Sequence, residues 1–358
     1  PNVGWREAYV FALLVLADTC MHKYKRAGQE EKDGSLPRAA LQHLDFALIM
    51  GGNNVYSIAN DMINKIESDE SVSLKSSAQP ASEEEEGHCF VQETLPRHAP
   101  QIQEERAVKR VASISVKDFK QEFFKKDLPV IITGVMDGWP ALRLWRDLRY
   151  LRDKFGHRTV PVELGRIAGG QKLDGWREEA MLMERLISEY LIPSNIACLK
   201  EQSMDDKDVA YLAQHALFDQ LTQLQKDFEV PEYCECGAVE GMNAWLGTAG
   251  TVTPLHHDSA DNILAQAVGY KYIRLYHPQE TRNLYVNKSG RGDSIGLQGN
   301  ISPVNCEFPD FDRFPLLQQA NYEEAILRPG EGKREGGRER VGWDRRKGGG
   351  RGAVESDR

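Results

Sequence analysis

NAWLGTAGTVTPLHHDSADNILAQAVGYKYIRLY, residues Asn243 to Tyr276, is the stretch on which the reading of this chain turns. At its centre stands Pro254-Leu-His-His-Asp258. His256 and Asp258 are two positions apart, so in an extended segment they project to the same face. An imidazole and a carboxylate side by side form two thirds of a 2-His-1-carboxylate set. That set leaves positions open on Fe(II) for a co-substrate and oxygen. A surface His-x-Asp pair has the same spacing, and the spacing alone leaves both readings open. The segments Asn262–Val268 and Lys271–Tyr276 flank Gly269 and read as strands, with β-branched and aromatic residues between turn signals. Lys271 opens a strand whose other residues suit a sheet interior. It is either an edge lysine facing water or a cation that needs an anion, since burying a lone charge is costly.

Working outward, the motifs Asn243-Ala-Trp-Leu-Gly247, Thr253-Pro-Leu-His-His-Asp258, Asn262 and Lys271-Tyr-Ile-Arg-Leu-Tyr276 together resemble the Jumonji-C oxygenases. The branch is that of lysine demethylases and arginyl hydroxylases. Thr159-Val-Pro-Val-Glu-Leu-Gly165 and Tyr211-Leu-Ala-Gln-His-Ala-Leu-Phe-Asp-Gln220 extend the likeness upstream, and it spans about 108–331. The resemblance implies an α+β chain whose catalytic part is a double-stranded β-helix, a cupin-like jelly roll, with helices packed outside. It implies Fe(II) and 2-oxoglutarate as cofactor and co-substrate. His256 and Asp258 would be metal ligands. Lys271 would pair with the far carboxylate of 2-oxoglutarate, helped by the hydroxyls of Tyr211 and Thr253, and Asn262 would hydrogen-bond it near the metal. Glu163, Gln214 and Trp245 match positions lining the family's substrate pocket. A carboxylate, an amide and an aromatic plate suit a guanidinium, whereas methyl-lysine prefers an aromatic cage. The implied substrate is therefore an arginine side chain in a protein or peptide, with a methylated histone tail as the alternative. Packing alone would equally explain Trp245. The resemblance also implies a chromatin-linked, nuclear protein, with the cytoplasm as a second compartment.

The likeness ends after Ala325-Ile-Leu-Arg-Pro-Gly-Glu331. There the family continues with an apolar strand and its third iron ligand, a histidine. Here the chain becomes Gly- and Arg-rich, and no histidine lies beyond His277. The expectation is a barrel short of its last strands, with exposed sheet edges, and a disordered tail over 332–358. Arg-Gly segments can bind RNA, but the interspersed Glu and Asp weaken that reading, and a read-through of an intron explains the change better. Two functions follow: a working oxygenase, or a binding module that keeps the pocket without the metal.

The rest of the 358 residues frames this domain. A net charge of -9 argues against a protein that coats nucleic acid. Six scattered cysteines point to a reducing compartment, and Cys234-Glu-Cys236 lacks a partner pair at zinc spacing. Residues 1–66 read as a helical domain with helices Trp5–Lys25, Leu36–Met50 and Val55–Ile66. The apolar run Tyr9–Ala17 is too short to span a bilayer. Residues 67–107, with Ser82-Glu-Glu-Glu-Glu86 at their centre, read as a flexible acidic linker. The domain over 108–331 then predicts a helix Val111–Phe124 entered at Ser113 or Ser115, a strand Pro129–Thr133, a helix Trp139–Phe155, a strand Thr159–Leu164, an amphipathic helix Glu178–Leu191 and short strands from Val209 onward. The start at Pro1 suggests a fragment. Nothing in the sequence sets an oligomeric state.

Overall fold

The computed structural model describes residues 3–27, 34–51, 53–72, 74, 89–91, 95, 99–168, 171–172, 176–199, 208–258, 260–286, 300–335 and 354–357. The acidic run 82–86 and the Gly/Arg-rich stretch 336–353 lie outside the described residues. Three helices open the chain: α1 (Val3–Arg26), α2 (Ser35–Gly51) and α3 (Asn53–Glu67). Leu41, Leu44 and Leu48 recur at helical spacing on α2 and are buried against Ala17, Ala59, Ile63 and Ile66. Lys23, Lys25 and Arg26 sit in the last turn of α1, where cations complement the helix dipole. Among the described residues, no helix is long and apolar enough to cross a membrane.

Beyond this unit the chain is built from three sheets and short helices, the α+β, jelly-roll-like arrangement expected. The first sheet runs β1 (Arg110–Ala112), β2 (Val130–Thr133), β12 (Glu331–Glu335), β9 (Asn262–Gln266). The second runs β11 (Tyr322–Leu327), β10 (Lys271–Tyr276), β13 (Val354–Asp357), β8 (His256–His257). The third runs β4 (Gln171–Lys172), β3 (Thr159–Ala168), β6 (Asp208–His215), β7 (Ala244–Gly247), with β5 (Arg177–Leu182) also paired to β3. The apolar run of β2 is explained by burial on both faces. Ile131 packs with Ile273, Leu275, Ala325 and Leu327 of the second sheet. Val130 and Ile132 pack the other way, against Phe119 and Phe123 around α4 (Val116–Glu122). Ser115 caps that helix, its hydroxyl accepting from the Asp118 N–H at 3.1 Å.

Four expectations are corrected. Helix Val111–Phe124 begins later, because 110–112 is drawn into parallel pairing with β2. Helix Trp139–Phe155 is two pieces, α5 (Ala141–Leu144) and α6 (Leu148–Phe155), the second capped by Asp147. Helix Glu178–Leu191 is a strand over 177–182, then a helical turn and a π-helical segment over Leu186–Leu191. Tertiary context overrides the helical pattern there, since residues 177–182 supply the antiparallel partner for β3 from Thr159 to Leu164. The segment read as linker is tied down at Cys89, which is fully buried in the largest core cluster. Its carbonyl accepts from the Leu148 N–H at 2.9 Å, the Val91 N–H donates to the Arg146 carbonyl at 2.8 Å, and the Arg146 guanidinium lies over the Phe90 ring.

The end of the chain departs most from expectation. Residues 331–335 insert between β2 and β9, and residues 354–357 insert between β10 and β8. The edges expected to stand open are therefore paired. Strand pairing is carried by main-chain N–H and C=O groups that any non-proline residue offers, so a sheet slot accepts a segment without family side chains. Glu331 anchors the first insertion: it is buried, and Arg110 Nε donates to its Oε1 at 3.2 Å.

Candidate active site

The short strand β8 presents the His-x-Asp motif. His256 lies opposite Ile301, and the His257 N–H donates to the Asn300 carbonyl at 3.1 Å, while Asn300 Nδ2 returns a bond to the His257 carbonyl at 3.0 Å. Leu255 is buried beneath, among Tyr276, Leu284 and Phe314. This zipper fixes the backbone on which the two polar side chains stand.

Each side chain is then oriented by a neighbour. His256 Nδ1 is 2.8 Å from the Pro254 carbonyl, a pure acceptor, so Nδ1 carries a proton and, in the neutral ring that binds a metal, Nε2 is the lone-pair nitrogen. That lone-pair nitrogen is 3.8 Å from Asp258 Oδ1. Asn262, opening β9, donates from Nδ2 to Asp258 Oδ2 at 2.6 Å and leaves the other oxygen on the His256 side. A ring tautomer fixed by a carbonyl and a carboxylate held by an amide are what an oxygen- and nitrogen-binding metal requires of its outer contacts. The pair fits two ligand positions of Fe(II). Among the described residues no third His, Cys, Asp or Glu joins them.

The expected co-substrate residues fall on different sheets. Lys271 heads β10 opposite Leu327, half-buried, while Tyr272, Ile273, Leu275 and Tyr276 behind it are buried. Tyr211 lies on β6, and Thr253 is half-buried in the connection between β7 and β8. Asn262, expected on the co-substrate, donates from its amide nitrogen to Asp258.

The expected substrate residues all belong to the third sheet. Glu163 of β3, Tyr211 of β6 and Gly247 of β7 form one row across it. A Cβ on Gly247 would come within 2.6 Å of the Tyr211 ring, so the glycine makes room for the tyrosine. Further along, Leu212 pairs with Leu246 and His215 with Ala244, so Ala213 and Gln214 face the single residue Trp245. This is a β-bulge, and Gln214 takes φ 48° in it. The left-handed region costs a non-glycine residue about 1–2 kcal/mol, so something must hold it there. Gln214 and Trp245 are both exposed at this wall, Trp245 by 45%.

One residue went unnoticed in the sequence. Trp176, just before β5, lays its ring on Gly165, where a Cβ would sit 2.0 Å from the ring, and donates from Nε1 to Glu163 Oε2 at 3.0 Å. It orients the carboxylate proposed to meet substrate. A glycine within the strand pattern of Thr159–Gly165 was the available sign of a close approach.

A family model described as a cupin-like domain matches residues 116–332. Lysine-specific demethylase 8 of Danio rerio is 32% identical over 341 residues, covering 92% of this chain and 77% of that one. The chain belongs to the cupin-like Jumonji-C oxygenases. Lysine-specific demethylase JMJ30 of Arabidopsis thaliana is 31% identical over 348 residues, covering 91% of this chain and 74% of its own. The bifunctional peptidase and (3S)-lysyl hydroxylase JMJD7 of Homo sapiens is 27% identical over 235 residues, covering 60% and 72%. Both the demethylase and the hydroxylase names fall within one class, the 2-oxoglutarate-dependent dioxygenases, and this chain is of that class by kinship. The family generally depends on Fe(II) and 2-oxoglutarate. Coverage of 92% also means that the alignment to the Danio rerio protein reaches into the helical unit.

Proposed function

We propose that this chain is a protein hydroxylase that takes an arginine side chain, with His256 and Asp258 holding Fe(II) and Lys271, Tyr211, Thr253 and Asn262 serving 2-oxoglutarate. The observation that carries the reading is the oriented pair: a tautomer-fixed His256 facing Asp258, whose second oxygen is held by Asn262. When bound, iron and 2-oxoglutarate supply the oxidising chemistry. The chain's own residues orient and shield. Lys271, at the head of a strand whose Tyr272, Ile273, Leu275 and Tyr276 are buried, offers a charge-assisted contact to a carboxylate. Glu163, aimed by Trp176, offers an acceptor to a guanidinium, with Gln214 and Trp245 forming the outer wall. Methyl-lysine in a histone tail is the alternative substrate, in line with the names of two relatives, and a chromatin role in the nucleus, with a cytoplasmic share, belongs to the same proposal.

Substrate choice is tested by titrating arginine and methyl-lysine peptides onto the chain and its Glu163→Gln variant. Arginine-peptide affinity is expected to fall by about 1.5–3 kcal/mol, the range for hydrogen bonds to charged groups, with 2-oxoglutarate affinity unchanged. Equal binding by parent and variant removes the guanidinium reading.

One observation favours a second reading, a non-catalytic pocket: among the described residues only two metal donors converge. Iron content and succinate release, compared between this chain and a version whose residues after Glu331 are replaced by the family's histidine-bearing ending, separate the two. Sub-stoichiometric iron and little turnover in the first, with both restored in the second, are expected. Full turnover by the chain as it stands, with one iron bound, would refute the two-ligand account.

A further inference from the structure

The helical unit meets the barrel over a buried polar cluster on which none of the expected site residues lies. Asp45 of α2 is fully buried, and Arg158, Thr159 and Gln220 beside it are almost as inaccessible. The Asp45 carboxylate accepts from Arg158 Nη2 at 2.6 Å and Nε at 3.1 Å, from the Thr159 N–H at 2.7 Å, and from Gln220 Nε2 at 2.8 Å. Gln220 Nε2 also donates to the Thr159 carbonyl at 2.7 Å. Carboxylate and carbonyl can only accept, so the orientation of the Gln220 amide is fixed and its Oε1 is left as an acceptor. His215, 2.7 Å from Gln220, must therefore donate from Nε2. Every proton in this chain of contacts has one consistent place.

His215 closes β6 and immediately follows Gln214, the left-handed residue of the bulge. Residues in such conformations persist where their surroundings over-determine them. On one side of Gln214 the strand is held by pairing of Leu212 with Leu246, and on the other by pairing of His215 with Ala244, with the His215 side chain tied to Gln220. We propose that Asp45 and Gln220 are positioning residues, through which the helical unit holds the β6 bulge and aims Gln214 beside Trp245. The helical unit is on this account part of the substrate wall's specificity, and its removal or a shift of α2 alters recognition without touching the His256–Asp258 pair. The specificity part of the inference rests on Gln214 and Trp245 meeting substrate; the positioning part does not.

The test uses the full chain labelled with 5-fluorotryptophan, whose Trp245 fluorine signal is assigned by its loss in Trp245→Phe. His215→Leu removes the donor to Gln220 and leaves the Asp45–Arg158 contacts in place, so the fold is retained. Gln220→Met and Asp45→Asn break the same line further back. The Trp245 signal is expected to shift or broaden in His215→Leu and Gln220→Met, with the Trp145 signal, whose indole N–H is held by Asp227 at 2.8 Å, unmoved. His215→Gln, whose amide can donate in place of Nε2, is expected to restore it. Arginine-peptide affinity is expected to fall about tenfold in His215→Leu and to recover in His215→Gln. An unchanged Trp245 signal in folded His215→Leu and Gln220→Met overturns the positioning role. If that signal moves while neither these variants nor Gln214→Ala changes peptide affinity, positioning stands and the substrate reading of the wall fails. If Asp45→Asn does not fold, the His215 and Gln220 variants still decide.

Discussion

The junction between α2 and the barrel and the mouth of the site at β8 are both built on a carboxylate, and they treat it in opposite ways. At the junction, Asp45 is fully buried and receives hydrogen bonds from Arg158, Thr159 and Gln220. At the mouth, Asp258 is 38% exposed in its side chain, receives one bond from Asn262 and turns its other oxygen toward His256. A carboxylate whose acceptor positions are occupied within the protein is a structural part. One that keeps an oxygen turned toward an imidazole nitrogen can take a ligand. The contrast is thermodynamic as well: a buried charge stripped of its partner is far more costly than an exposed one.

The largest expected effect breaks the comparison on the junction side. Arg158→Ala should cost about 3–5 kcal/mol, because it leaves the fully buried Asp45 without its cation. Asp258→Asn, at the exposed mouth, should change stability by less than about 0.5 kcal/mol. Urea unfolding of both variants measures the difference, and comparable losses would erase the distinction. Next in size, Lys271→Ala should weaken 2-oxoglutarate binding by about 1.5–3 kcal/mol, the worth of a hydrogen bond to a charged group. Calorimetry with metal present reads this directly, and an unchanged affinity removes Lys271 from the co-substrate site.

A smaller effect follows pH. Burial pushes the Glu67 carboxyl up, but the His157 hydrogen bond and the nearby Arg158 charge outweigh it, so its pKa is lowered from 4.5. Glu67 therefore holds its proton less tightly folded than unfolded. Its contribution is fully present above pH 4.5 and is lost as pH falls below that value toward the folded pKa. In Glu67→Gln the acid limb of a melting curve should flatten; an identical limb would show that the pair with His157 and Arg158 contributes nothing. The smallest effect sharpens the picture. The Thr159 hydroxyl is buried without a hydrogen-bond partner among the described residues. Thr159→Val should thus leave the melting temperature unchanged or raised, since an unsatisfied buried polar group is a cost. A marked fall would mean that the hydroxyl is partnered after all.

How much of this was legible differs between the same two regions. The mouth could be read because its information is local: residues 254–262 and 271–276 contain motif, strand and turn within one stretch. The junction could not, because Asp45 meets Arg158 and Gln220 only after distant segments pack, and no spacing rule links them. The same holds for Cys89, whose burial depends on α6 and β3, and for 177–182, where a helical pattern yields to the open side of β3. The pairing of 331–335 and 354–357 was beyond motif reading for the converse reason. A strand slot is filled by backbone, and a side-chain signature carries no information about it.

The bulge at Ala213 and Gln214 has a consequence for how such a pocket could change. A bulge is a matter of length: it stores one extra residue in β6 against Trp245. Deleting that residue would restore strict alternation and turn a different side chain to the wall, because the two faces of a strand exchange with every single-residue slip. The side chains offered at this wall are thus open to insertion and deletion as well as to substitution: a change of register alone exchanges them and leaves the His256–Asp258 pair, outside this sheet, untouched.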